Sequence, residues 1–169
     1  MYDISATFWT WEMSKDLKNH IAELELVETT DPDNEKPVYR RPGFDGIATF
    51  GELDNKLGEA LRRCRQEEGL SRAEIARLVG LSEQVYGRYE RNSSKMTVSR
   101  LIHLSEVLGA SPLSMLFSTA PHLWGKTEVE AESRFRIMKL LEDLPAETMA
   151  SVTTLLETIA VLQAKANKT

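Results

Sequence analysis

Side chains that do covalent chemistry are sparse in this sequence and stand apart. His20, His103 and His122 are widely spaced, with no acid pair, nucleophile or metal-ligand spacing beside them. The single cysteine, Cys64, can form neither an internal disulfide nor a zinc site, and it falls on the apolar side of a helical pattern. Gly125-Lys126-Thr127 has the ending of a phosphate-binding loop. However, Ala120 stands where that loop needs glycine, and the segment before it reads as helix rather than strand. The sequence gives no support to an enzyme, and no metal or cofactor is expected.

Polar chemistry of another kind gathers between Arg72 and Arg91. Ile75, Leu78, Leu81, Val85, Tyr86 and Tyr89 read as core-facing. Ala76 is small enough for two helices to cross steeply there. Gly80 tolerates the left-handed backbone of a tight turn. The second helix is then left with Glu83, Gln84, Gly87, Arg88 and Arg91 on its outer face. Long polar groups with bidentate geometry on an exposed helix match the donor and acceptor pattern of the DNA major groove. Arg72 before that helix, and Arg91, Ser94 and Lys95 at and beyond its end, are placed to meet flanking phosphates, with Gly87 allowing close approach.

Such a helix has to be held by others, and the middle segment supplies them. Thr49 to Glu52 and Ser71 to Glu74 are capping-box patterns. Leu53, Leu57, Ala60, Leu61 and Cys64 follow the first at helical spacing, and Gly69 ends that helix. Thr97 opens a fourth helix with Val98, Leu101, Ile102, Ser105 and Leu108 as its core face. Gly109 stops it, and Ser111-Pro112 starts a fifth. Residues 49–118 are thus expected to be a five-helix domain in an all-α chain. Residues 119–169 read as a helical hairpin, with a capping box at Thr127 to Glu130 and a second helix after Pro145. Residues 1–48 read as an acidic extension: a short strand over residues 4–11, a helix from Ser14 to about Leu26, then a Pro/Gly-rich tether from Thr29 to Gly46. Phe8, Trp9 and Trp11 suit a small core or interface patch.

The net charge of −5 looks unfavourable for a nucleic-acid binder until it is divided along the chain. Residues 1–49 hold five Lys/Arg against ten Asp/Glu, whereas residues 50–118 hold ten against nine. The acidity lies in the extension, and the middle segment is free to gather its bases on one face. No stretch approaches the ~20 uncharged apolar residues of a membrane helix. The start of the chain has no basic region and apolar core of a signal peptide, so the cytoplasm is the expected compartment.

The middle segment resembles the Cro and phage-repressor type of helix-turn-helix, the XRE family, over about Leu57 to Phe117. The resemblance rests on Gly69-Leu-Ser-Arg-Ala-Glu-Ile-Ala76, Val79-Gly-Leu-Ser82, Tyr89-Glu90, and Leu108-Gly-Ala-Ser-Pro-Leu113 with Leu116-Phe117. It implies a lambda-repressor-like fold and a transcriptional regulator of double-stranded operator DNA, more often a repressor. It also implies base-reading positions at Glu83, Gln84 and Arg88, and a structural ion pair between Arg65 and Glu90. The sequence departs from the family where Arg72 replaces the usual glutamine, Tyr86 a small or β-branched residue, and Asn92 the glycine after the recognition helix.

Two further expectations follow. A single helix-turn-helix reads few base pairs, so a homodimer is expected, formed through Phe135, Met138, Leu141, Val152, Leu156 and Ile159 of the C-terminal hairpin. Arg40 and Arg41 are either a minor-groove arm or part of a tether packed on the domain. The alternative function is antitoxin-like: the same DNA-binding core, with an N- or C-terminal extension that neutralises a partner protein.

Overall fold

The computed structural model describes residues 14–166; the strand expected over residues 4–11, with Phe8, Trp9 and Trp11, lies outside them. The chain divides into two units, at residues 1–120 and 121–169.

The first unit begins with α1 (Lys15–Glu23), capped by Ser14, whose hydroxyl accepts the Leu17 N–H. The stretch expected to be a plain tether instead contains a small antiparallel hairpin, β1 (Val27–Thr29) and β2 (Val38–Arg40). Val27 pairs with Arg40, Glu28 with Tyr39 and Thr29 with Val38. Strands of three residues are too short for alternation to show in a sequence rich in Asp, Asn and Pro. Pairing between them, with the Tyr39 hydroxyl donating to Glu28 at 2.6 Å, is what orders the segment.

Five helices follow: α2 (Phe50–Glu67), α3 (Arg72–Leu78), α4 (Glu83–Glu90), α5 (Val98–Leu108) and α6 (Pro112–Thr119). Both expected capping boxes form. The Thr49 hydroxyl accepts the Glu52 N–H while Glu52 reaches back to the Thr49 N–H, and Ser71 and Glu74 do the same for α3. Their core is Leu61, Ile75, Tyr86, Leu104, Leu108 and Met115, all fully buried, with Ala60 and Ala76 where helices approach. Gly80 turns the chain between α3 and α4 at φ +68°, and Asn92 takes φ +53° after α4.

Three residues expected in the core are outside it. Leu78 is 58% exposed, Val98 74% and Ile102 50%. Leu78 is the last helical residue of α3, and the core is closed there by the following Val79. On α5 the buried stripe is Leu101, Leu104, Ser105 and Leu108, rotated from the expected one because Val98 lies at the first helical position, before the turn that packs. Cys64 is only partly buried beside the core, and burial raises its thiol pKa above the ordinary value.

The second unit holds a short 3-10 turn (Pro121–Leu123), α7 (Glu128–Glu142) and α8 (Ala146–Ala166). Thr127 caps α7 through the Glu130 N–H, but Glu130 accepts from Lys126 rather than closing the box on Thr127. α7 packs on the 3-10 turn, and its Ala131 is fully buried against Gly125. The two helices expected of the C-terminal hairpin are both present, α7 and α8, joined by residues 143–145, and α8 contains no fully buried residue. Met149 and Val152 near the start of α8 are half-buried, whereas Leu155, Leu156, Ile159, Val161 and Leu162 beyond them are exposed. No described helix is long and apolar enough to cross a membrane.

Candidate nucleic-acid interface

α4 is positioned from three sides. Ser82 caps its start by accepting the Val85 N–H, and Tyr86 anchors its inner face in the core. α2 approaches it so closely that a Cβ on Gly58 would stand 2.7 Å from the Tyr89 carbonyl oxygen. Glu83, Gln84 and Arg88 remain exposed on the face turned away from the core, as the spacing requires.

At the end of α4 is a buried electrostatic knot. Glu90, whose side chain is almost fully enclosed, accepts from Arg65 through both oxygens, at 2.5 and 3.2 Å. Arg65 also donates to the Leu70 carbonyl at 2.7 Å, so one guanidinium joins α2, the loop before α3 and the end of α4. Arg72 adds a third member: its Nε donates to Glu90 Oε2 at 2.7 Å. Burial alone would raise the Glu90 carboxyl, but the hydrogen bonds from Arg65 and Arg72 outweigh it and hold the group below its ordinary value. The Tyr86 phenol beside the knot is pushed far above its ordinary value by burial and by the charge of Glu90.

The structure therefore gives several expected site residues a different setting. Arg72 is a member of the knot, its Nε occupied by Glu90, rather than a side chain held out for phosphate. Gly87 is buried, and Arg91 folds back over it, with Nη1 2.9 Å from where a Cβ would stand. Ser94 is exposed in the loop beyond α4, while Lys95 is paired with Asp33 at 2.7 Å. Arg40 lies in β2 with its guanidinium carbon 4.7 Å from the centre of the Phe50 ring, and Arg41 Nε donates to the Leu24 carbonyl at 3.3 Å. Neither arginine extends as an arm: Arg40 packs on the start of α2 and Arg41 on the end of α1.

Several contacts that seat or flank α4 had no forecast from the sequence. They include the third arginine of the knot, the Gly58 approach, the Lys95–Asp33 pair, and Arg100, which donates to the Val79 carbonyl at the end of α3 at 3.3 Å. Only the glycine inside an otherwise apolar helical face carried a readable signal, since glycine in mid-helix marks either a weak point or a close approach.

Residues 61–115, from the middle of α2 into α6, match the family model described as "Helix-turn-helix". Over this segment the chain is similar to helix-turn-helix proteins. Among curated proteins, the SPbeta prophage-derived uncharacterized HTH-type transcriptional regulator YonR of Bacillus subtilis (strain 168) is 36% identical over 63 residues, which is 37% of this chain and 58% of that protein. An uncharacterized HTH-type transcriptional regulator of Sinorhizobium medicae (strain WSM419) is 29% identical over 75 residues, covering 44% of this chain and 53% of that protein. The chain thus spans a little over half the length of these curated relatives. Among solved structures, the clp gene regulator ClgR of C. glutamicum matches with a TM-score of 0.39 at 28% identity, over 40% of this chain and 87% of that one. In each of these matches the shared part is less than half of this chain.

Proposed function

We propose that the chain is a sequence-specific transcriptional regulator of double-stranded DNA, acting as a dimeric repressor that places α4 in the major groove. The observation that carries this reading is the exposed row of Glu83, Gln84 and Arg88 on a helix whose opposite side is fixed by Tyr86, Gly58 and the Arg65–Glu90–Arg72 knot. Bidentate readers discriminate between bases only when the helix carrying them is held in place. Gln84 has the geometry for adenine, Arg88 for guanine, and Glu83 for the amino group of cytosine. The exposed loop at Ser93 and Ser94 supplies hydroxyls for the phosphate backbone.

Selection of bound duplexes from a random pool tests this directly, because it returns site, symmetry and half-site spacing together. Gln84→Ala and Arg88→Ala should each cost ~1–3 kcal/mol on the selected site and relax preference at defined base pairs. Equal losses on selected and random DNA would remove the base-reading role.

In this reading two copies associate through residues 127–165, where Phe135, Met138 and Leu141 of α7 and Val152, Leu156 and Ile159 of α8 are partly or fully exposed. The same exposed face supports the antitoxin-like alternative, in which a partner protein covers it. A small protein that co-purifies in fixed stoichiometry would favour that alternative; a chain that pairs only with itself would favour the homodimer.

A further inference from the structure

Lys95 follows α4 in the loop that DNA docking would bring to the backbone, yet its ammonium is already engaged by Asp33 at 2.7 Å. Asp33 is held in place by its neighbours. Asp31 is only 4% exposed and accepts the Phe50 N–H at 2.7 Å on one oxygen and the Asp33 N–H at 3.0 Å on the other. Its backbone carbonyl takes the Asn34 N–H at 2.9 Å, closing a turn pinned to the first residue of α2. Burial would raise the Asp31 carboxyl, but these N–H groups and the charge of Arg40 keep it below its ordinary value. Across the gap, Asn92 Nδ2 donates to the Gly51 carbonyl at 3.1 Å and ties the loop after α4 to α2. Between the two walls is a hollow of about 280 Å³ lined by Asp33, Asp54, Ser93, Ser94 and Lys95, among others.

An ammonium and two serine hydroxyls are donors that a phosphodiester oxygen would take. A carboxylate on Lys95 makes the same charge-assisted contact that the phosphate would make. We propose that the Asp31–Asn34 turn is an internal competitor for the DNA backbone: Asp33 occupies Lys95 in the free protein and must give it up when a phosphate enters the hollow. The proposal rests on the DNA-binding reading above. It gives the acidic extension a part in that reading, since its hairpin carries an anion to the lysine of the loop that follows α4. Asp31 serves as the pin and Asp33 as the competing charge. Binding is then an exchange of one anion for another, so it is weaker than the exposed bases alone would allow.

The experiment is a double-mutant cycle of Asp33→Asn and Lys95→Ala on the full chain, read by anisotropy of a short labelled duplex of random sequence at about 50 mM and 200 mM salt. Asp33→Asn is isosteric and should tighten binding about 3–10-fold at the lower salt and less at the higher, as expected for an exposed ion pair. In the Lys95→Ala background the same change should give at most a small gain. Asp45→Asn, a charge change elsewhere in the extension, should not reproduce the effect. If Asp33→Asn tightens binding equally with and without Lys95, Asp33 acts only as a distant charge and the competition is overturned. If the unaltered chain binds the duplex and Asp33→Asn matches it, the competition fails while the DNA-binding reading stands. If neither binds at the lower salt, the DNA-binding reading itself fails and the proposal goes with it.

Discussion

At the scale of single residues, Glu90 is the most consequential side chain of the domain. It is a buried carboxylate shared by two arginines, so its removal leaves both cations without their counter-charge. Glu90→Ala should cost ~3–5 kcal/mol of folding stability, seen in denaturant melts, while the choice of operator among surviving folded molecules stays the same. The pH dependence has a definite sign. The Glu90 carboxyl is held below its ordinary value in the folded chain, so the folded state binds fewer protons there than the unfolded one. Its contribution is complete above about pH 5 and is lost as pH falls through the ordinary glutamate value of ~4.3 toward the lower folded one. Glu90→Gln should therefore flatten the stability curve below about pH 5. The carboxyls of Asp31, Glu52 and Glu74, also lowered, should keep part of the slope. The Arg65–Glu90 half of this knot was legible through family resemblance. The Arg72 half was not, because a basic residue at a helix start looks the same in sequence whether it turns to solvent or inward.

At the scale of elements, sequence signals were reliable where chemistry is local and weaker where it depends on what packs opposite. Capping residues satisfy groups three positions away, so Thr49, Ser71 and Thr127 could be read directly and all accept the expected N–H. Core faces depend on the partner helix. Apolar residues on two adjoining faces of α5 left the choice between Val98/Ile102 and Leu104 to tertiary packing, which buries Leu104. The closest packing test is Gly58. A methyl there would meet backbone at 2.7 and 3.0 Å, on the carbonyls of Tyr89 and Glu90, and backbone cannot swing aside. Gly58→Ala should destabilise the domain by ~1–3 kcal/mol and loosen the seat of α4. At Gly87 a methyl meets only the movable end of Arg91, so Gly87→Ala should melt within about 0.5 kcal/mol of the unaltered chain. Comparable melting losses at the two glycines would argue against the α2–α4 contact as the tight one.

At the scale of the whole molecule, the open question is what covers α8. Its 21 residues would run ~31 Å, and Leu155, Leu156, Ile159, Val161 and Leu162 are all exposed along it. An apolar stripe of that length is uncommon on a chain that works alone, and symmetric pairing is the most frequent way to bury one. The proposed DNA-binding role independently calls for two copies, because paired half-sites lie ~34 Å apart and one recognition helix reads too little sequence. Sequence reasoning identified this surface as more apolar area than a two-helix hairpin can hide. Periodicity reports that a face is apolar and says nothing about which surface meets it. Met149, Val152, Leu156 and Ile159 form a heptad-spaced row, and burying a Leu or Ile side chain is worth ~1.5–3 kcal/mol. Replacing Leu156 and Ile159 together by glutamate should therefore weaken self-association by at least ~100-fold, read by sedimentation over a range of concentrations. The helix-turn-helix domain should keep its melting profile, since neither residue belongs to its core. Operator affinity should fall with the dimer, while binding to a single half-site is preserved. A double variant that still sediments as a dimer would move the interface off α8 and leave its apolar row to a different protein.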